Sequence, residues 1–241
     1  MARRKLNNTL DQEIYERLRE AILTRHFNPG ERLVERDLAA LFQVSRTPVR
    51  RALQRLGKEK LVTCAPGKGM RVTKLTPAQV GEIYEFRAAL EGLAAMLAAA
   101  RAAPEDRAAL QEAVRESKKI LAEGDLEAAR ALNSRYHRLL GKASGNSMLA
   151  ETMESLLWQL NILLLSTWTV KGRPEQIQKE HEAVVEAILS GDAPLARARA
   201  EEHIFNASRV ALSVLEKELT AYQRVKEEVE KAEEVAGKAG G

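Results

Sequence analysis

Three of the four histidines in this sequence fall on apolar helical stripes. His137 sits beside Leu132, Tyr136 and Leu140, with Asn133 one turn before it. His181 follows Ile177 and precedes Val184, Val185 and Ile188, while His203 shares a face with Asn206 and Val210. One inward histidine is ordinarily a hydrogen-bonded core residue. Three on three different helices, with an amide oxygen a turn before the first, can close on one divalent ion and leave coordination positions open. Zinc is the expected metal, with manganese and nickel as alternatives, because imidazole discriminates weakly among them. Arg87 and Glu91 share a stripe with Val80, Ile83, Leu90, Ala94 and Leu97, and an inward guanidinium needs a partner. An open metal site also suits hydration or hydrolysis, which makes a metal-dependent hydrolase one alternative. That reading lacks a positioned acid or base, since the inward stripes offer only Glu91, better spent orienting Arg87.

The second set is cationic. From Val44 to Leu56 the apolar residues Val49, Leu53 and Leu56 form one helical stripe, and Arg46, Arg50, Arg51 and Arg55 occupy the opposite face. Ser45 suits an N-cap, and Thr47-Pro48 suits a first turn. A partner dense in phosphates and guanine acceptors accounts for such a face; a solvated basic surface is the plain alternative.

The elements that must hold these residues are legible from caps and periodicity. Thr9 with Gln12 forms a capping box ahead of Ile14, Leu18 and Ile22, giving a first helix to about residue 25. Asn28-Pro29-Gly30 turns the chain, residues 32–34 are extended, and 35–42 is a second helix with Leu38 and Leu41 inward. The arginine-faced helix runs from 46 to about 60. Residues 61–65 and 70–72 then form a hairpin around Pro66-Gly67-Lys68-Gly69, whose Lys68 can reach a phosphate or the minor groove. After Thr76-Pro77, helices are expected at 77–102, 104–123, 125–144, 146–169, 174–190 and from 192 to 220 or beyond. The fold class is therefore mainly α: an N-terminal helix-turn-helix with a β-hairpin wing over 1–74, an all-α bundle over 75–220, and a charged, partly disordered tail over 221–241.

Charge divides along the same line. Residues 1–74 hold 17 Lys and Arg against 8 Asp and Glu, net +9, and the remainder carries 21 against 26, net −5. One end suits a polyanion and the other does not. The single cysteine, Cys64, excludes an internal disulfide framework, fits a reducing cytosol and reads as a small apolar strand residue. No secretion signal is read at the N-terminus, and the run Leu156 to Leu165 is far short of the ~20 residues a bilayer requires. A cytoplasmic protein with no membrane partner is expected.

Residues 9–74 resemble the winged helix-turn-helix of the GntR family of bacterial transcription regulators. The likeness rests on Pro29-Gly30-Glu31-Arg32-Leu33, Glu35-Arg36-Asp37-Leu38-Ala39, Val44-Ser45-Arg46-Thr47-Pro48-Val49-Arg50 and Gly67-Lys68-Gly69. The resemblance implies that Arg36, Arg46 and Arg50 enter the groove or read bases, that Ser45 and Thr47 contact phosphate, and that Gly67 lies at the wing tip. Gln43 stands where a turn glycine is usual, and Arg51 where an acidic residue is usual. Residues 80–212 resemble the FCD effector domain of the FadR-like subgroup. Its metal motif is matched by Asn133, His137, His181 and His203, with Asn133 in place of the usual aspartate. By the same resemblance a small organic acid binds beside the metal, a role carried to Arg87, with Asn206 as a second effector residue. Together these imply a DNA-binding regulator, expected to be a dimeric repressor on a palindromic operator, responsive to a carboxylate effector. A sensor of the metal itself is the alternative.

Overall fold

Local sequence chemistry places most helix boundaries, and the computed structural model describes residues 2–65 and 69–239. Gly67 and Lys68, expected at the wing tip, lie outside the described residues. The N-terminal part comprises α1 (Ala2–Leu23), β1 (Arg32–Leu33), α2 (Glu35–Phe42), α3 (Arg46–Lys58), β2 (Val62–Ala65) and β3 (Gly69–Val72). Its core gathers Ile14, Leu18 and Ile22 of α1 with Leu38 and Ala39 of α2 and Val49, Leu53 and Leu56 of α3. The strands form one antiparallel sheet in the order β1-β3-β2, with Arg71 paired to both Arg32 and Thr63.

Four local expectations differ from the structure. Helix α1 begins at Ala2, so Thr9-Gln12 is no N-terminus, and the Gln12 side chain instead bonds Glu16 and Arg55. Leu41 is 60% exposed, because the short α2 turns Leu38, Ala39 and Phe42 toward the core instead. Ser45 occupies the N-cap of α3, but its side chain makes no capping bond. Cys64 is exposed on β2 rather than packed.

The C-terminal part is helical among the described residues: α4 (Pro77–Arg101), α5 (Pro104–Ala122), α6 (Leu126–Ala143), α7 (Ser147–Thr167), α8 (Arg173–Leu189) and α9 (Ala193–Ala239). The reciprocal Thr76–Gln79 capping box starts α4, and Asp125 caps α6 by accepting from the Ala128 N–H at 2.9 Å. Helix α4 is lined with alanine, and Ala94, Ala95, Ala98 and Ala99 join a core shared with α5, α6, α7, α8 and α9. Small residues let helices approach closely: a Cβ on Gly92 would stand 2.7 Å from the Glu201 side chain of α9. Helix α9 stays helical through residues 221–239, where a loose end was expected. No helix among the described residues is long and apolar enough to cross a membrane.

Gln43, in the position where a turn glycine is usual, takes φ 56° and ψ 43°, and its N–H closes on the last carbonyls of α2. A left-handed non-glycine residue costs roughly 1–2 kcal/mol, while glycine gives back about 0.5–1 kcal/mol through the unfolded chain. Gln43→Gly is therefore expected to stabilise the protein by roughly 0.5–1 kcal/mol, read as a higher urea midpoint. A midpoint at or below that of the parent chain would show the strain to be relieved elsewhere.

Candidate functional site

The arginine-rich face expected from the sequence lies on α3. Its apolar stripe is fully buried, and Arg46, Arg50, Arg51 and Arg55 are all exposed. They are not four mutually repelling free charges, as the sequence suggests. The Arg50 Nε and Nη2 donate to both oxygens of Glu35 at 2.8–3.1 Å. Arg51 donates to Asp11 at 2.7 Å, which ties the residue that departs from the family pattern to α1. Arg55 donates to Gln12 at 2.6 Å and lies 3.6 Å from the centre of the Tyr15 ring. Arg36 is held by its neighbour Asp37 at 2.9 Å. Of the four α3 arginines, Arg46 makes no intramolecular hydrogen bond among the described residues. Ser45 and Thr47 are exposed at the N-terminus of α3, where backbone N–H groups favour an anion.

The second site is buried between α4, α6, α8 and α9. His137, His181 and His203 are each at most 3% exposed, and one ring nitrogen from each lies within 4.8 Å of the others. The His181 and His203 Nε2 atoms are 3.2 Å apart, close to the edge of about 3.3 Å that two imidazoles span on a tetrahedral zinc ion. Carboxylates fix two of the rings from behind. Glu91 bonds His137 Nδ1 at 2.8 Å, and Glu180 bonds His203 Nδ1 at 2.6 Å, so both Nε2 atoms face inward. His181 is held differently, stacked on Tyr136 with ring centres 3.7 Å apart.

Each carboxylate also holds an arginine. Arg87 Nε donates to Glu91 at 2.6 Å, and Arg173 Nη1 donates to Glu180 at 3.0 Å. Two Arg–Glu–His relays thus converge on one point. Arg87 Nη2 also lies 2.9 Å from His137 Nε2. With Nδ1–H given to Glu91, that Nε2 carries the lone pair, and the guanidinium occupies a position suited to a cation.

The electrostatics follow from burial. Burial alone would raise the Glu91 carboxyl, but Arg87 and His137 outweigh it and hold it at about 2. Burial pushes His137 down to about 4 against the pull of Glu91. Burial and then the neighbouring His203 push His181 well below its ordinary value, and burial lowers His203 despite its bond to Glu180. All three imidazoles are neutral near pH 7, the state a metal requires.

A cavity of about 20 Å³ opens beside the cluster, lined by Tyr84, Arg87, Asn133, His137, Trp168, Arg173 and His203 among others. A larger hollow, about 760 Å³ between the 28–31 turn, residues 73–75 and α9, contains none of the histidines. The structure brings Arg87, Asn133 and the three histidines together. Asn206, expected as a second effector residue, donates its amide to Glu180 at 2.7 Å and so braces the carboxylate behind His203. Glu180, Arg173, Tyr84 and Trp168 were missed. Arg173 sits within a Lys-Gly-Arg-Pro turn, which looks like punctuation, and Glu180 immediately precedes His181, on a different face of α8.

The depressed histidines make stability pH-dependent. The unfolded chain takes up protons below the ordinary histidine value of 6.5 while folded His137 resists until about 4, so stability is complete above pH 6.5 and is lost as pH falls through that window. In chelator, the urea midpoint is expected to fall steadily from pH 7 to pH 5, and His137→Gln is expected to flatten part of the slope. A midpoint independent of pH over that range would contradict neutral burial of the cluster.

Residues 82–206 match the FCD domain family, and residues 10–72 match the gntR family of bacterial regulatory proteins. The chain is 34% identical to the HTH-type transcriptional regulator YdhC of Bacillus subtilis, over 73% of this chain and 79% of that protein. It is 25% identical to the HTH-type transcriptional repressor RspR of Escherichia coli, over 83% of this chain and 89% of that one. In fold it is similar to E. coli McbR/YncC, with a TM-score of 0.69 at 24% identity, covering 87% of this chain and 98% of that chain. The sequence reading of family and fold class agrees with these relationships: the chain belongs to the GntR family of bacterial regulatory proteins, carries an FCD domain, and is a DNA-binding transcription regulator rather than an enzyme.

Proposed function

We propose that this regulator is a repressor that binds a palindromic operator as a homodimer, and that a small carboxylate bound with a divalent ion sets its DNA affinity. Residues 1–74 are the DNA-binding unit, residues 75–220 the sensing unit, and residues 221–241 an extension of it. The observation that carries the sensing half is the convergence of three neutral imidazoles, two of them braced by carboxylates at Nδ1, an arrangement that costs desolvation and suits a metal. Zinc fits three imidazole nitrogens with open positions, and the Asn133 amide oxygen is the fourth ligand. The ion supplies Lewis acidity toward a carboxylate oxygen. His137 Nε2 would hold the metal in place of its present contact with Arg87 Nη2, leaving that guanidinium group to receive the acid. The repressor reading draws support from the likeness to RspR.

Sensing of the metal alone is the second reading, favoured by a cavity of about 20 Å³, room for one ion or water and too little for an organic acid without movement of its walls. Release of DNA by zinc without any acid would select it.

Elemental analysis is expected to find one zinc, manganese or nickel ion per chain, lost in the triple variant His137→Ala, His181→Ala, His203→Ala. Calorimetric titration of zinc is expected to show tighter binding with the acid present, and by linkage the acid binds tighter with zinc by an equal factor. Asn133→Asp is expected to raise zinc affinity without the acid and weaken the acid. Equal zinc affinity in wild type and variant, with and without acid, would reject the charge argument.

On DNA, Arg46→Ala and Arg50→Ala are each expected to cost roughly 1–3 kcal/mol of specific operator affinity and to relax base preference, with metal content unchanged. Selection from a pool of random duplexes at physiological salt, followed by titration of each variant on the selected site, measures this. Wild-type affinity from both variants would remove the recognition assignment.

A further inference from the structure

Three buried donors that line the small cavity beside the histidine cluster have no partner among the described residues: Tyr84 Oη, Trp168 Nε1 and Arg173 Nη2. Arg173 is 2% exposed, Tyr84 is fully buried, and all three residues line the small cavity that also meets Arg87, Asn133, His137 and His203. They come from three separate helices or their ends, α4, α7 and α8, so no single local feature explains the clustering. Leaving a buried donor unsatisfied is costly, and more so for a cation; three in one place call for an acceptor. A carboxylate matches them, since it accepts several hydrogen bonds and balances the guanidinium.

Charge leads to the same requirement independently. Within the site Arg87 is balanced by Glu91 and Arg173 by Glu180. The three imidazoles are neutral and Asn133 is an amide. A divalent ion therefore brings two positive charges that no side chain of the cavity cancels, and an acid with one carboxylate cancels half.

We propose that Tyr84, Trp168 and Arg173 form a second carboxylate subsite facing the metal-binding cluster, so that the ligand class is a short dicarboxylate, one end on the metal and Arg87 and the other on these three donors. This rests on the metal-and-acid reading above and specifies its ligand. Arg173 reaches the metal end through Glu180, which it shares with His203, so both ends of the ligand bear on one relay. The cavity of about 20 Å³ must widen to admit the acid.

The test is calorimetry on the full chain, zinc-loaded and zinc-free, with malonate and succinate against propionate and butyrate. Zinc-loaded wild type is expected to bind a dicarboxylate at least about tenfold more tightly than the monocarboxylate of equal length. Tyr84→Phe deletes one donor while keeping the ring, Trp168→Phe deletes one while replacing the indole with a smaller aromatic ring, and each is expected to weaken the dicarboxylate several-fold while leaving the monocarboxylate unchanged. Circular dichroism checks their folding, and Arg173→Gln is the third variant. Equal affinity for mono- and dicarboxylates, or equal losses for both acids in the Phe variants, overturns the second subsite and leaves the metal-and-acid reading standing. Zinc uptake with no acid bound overturns both.

Discussion

Charge that is buried must be balanced where it lies, and this constraint organises the bundle. Arg87 and Glu91 are 3% and 2% exposed, and Arg173 is 2% exposed against Glu180. Removing one member of such a pair costs about 3–5 kcal/mol, because it strands the other. Each carboxylate is therefore committed to its arginine. Its second oxygen is left to fix an imidazole, which it does in both relays. The two relays come from different pairs of helices: α4 supplies Arg87 and Glu91 to a histidine on α6, and α8 supplies Arg173 and Glu180 to a histidine on α9. The third histidine, His181, sits between them without a carboxylate and is oriented by stacking on Tyr136.

Packing serves that arrangement. Helix α4 must come close enough to α6 and α9 for short polar side chains to meet, and its alanines and Gly92 allow it. The same economy explains why the cavity is small. Side chains that would fill a larger ligand site are already bonded to each other, with Arg87 on His137 and Asn206 on Glu180. Among the described residues that line the cavity, Tyr84, Trp168 and Arg173 on the far wall keep donors unspent.

What could be read from the sequence was what periodicity encodes. Helix positions in the bundle, the buried stripe of α3 and the inward direction of His137, His181 and His203 follow from apolar spacing, which backbone geometry converts directly into faces. Arg87 was legible because it interrupts a stripe. Arg173 was not, because a residue at the first turn of a helix after a loop belongs to no stripe, and its burial is decided by how α7 and α8 meet. Glu180 was hidden for a related reason. Its partners Arg173, His203 and Asn206 lie on two helices, and no spacing within α8 reports them. Leu41 failed in the opposite sense: an eight-residue helix offers two apolar phases, and tertiary contact chose the one containing Leu38 and Phe42.

The two ends of the molecule keep arginines in the same way and release them at different cost. On α3 Arg50 rests on Glu35, a pair 59% and 31% exposed, so solvent screening leaves it weakly held, and water could take over the carboxylate if the guanidinium turned to a base. The pairing then acts as a holder, limiting the conformations Arg50 samples before contact without resisting transfer. At the buried site no water replaces a lost partner. Arg87 can leave His137 only if something else satisfies that nitrogen, and it can receive an anion only if Glu91 stays bonded through Nε. The geometry permits both, since Nε and Nη2 are separate donors. Under the proposed metal-and-acid reading, a metal would have to take the His137 lone pair before Arg87 could receive an acid, because only that exchange of hydrogen bonds strands no charge.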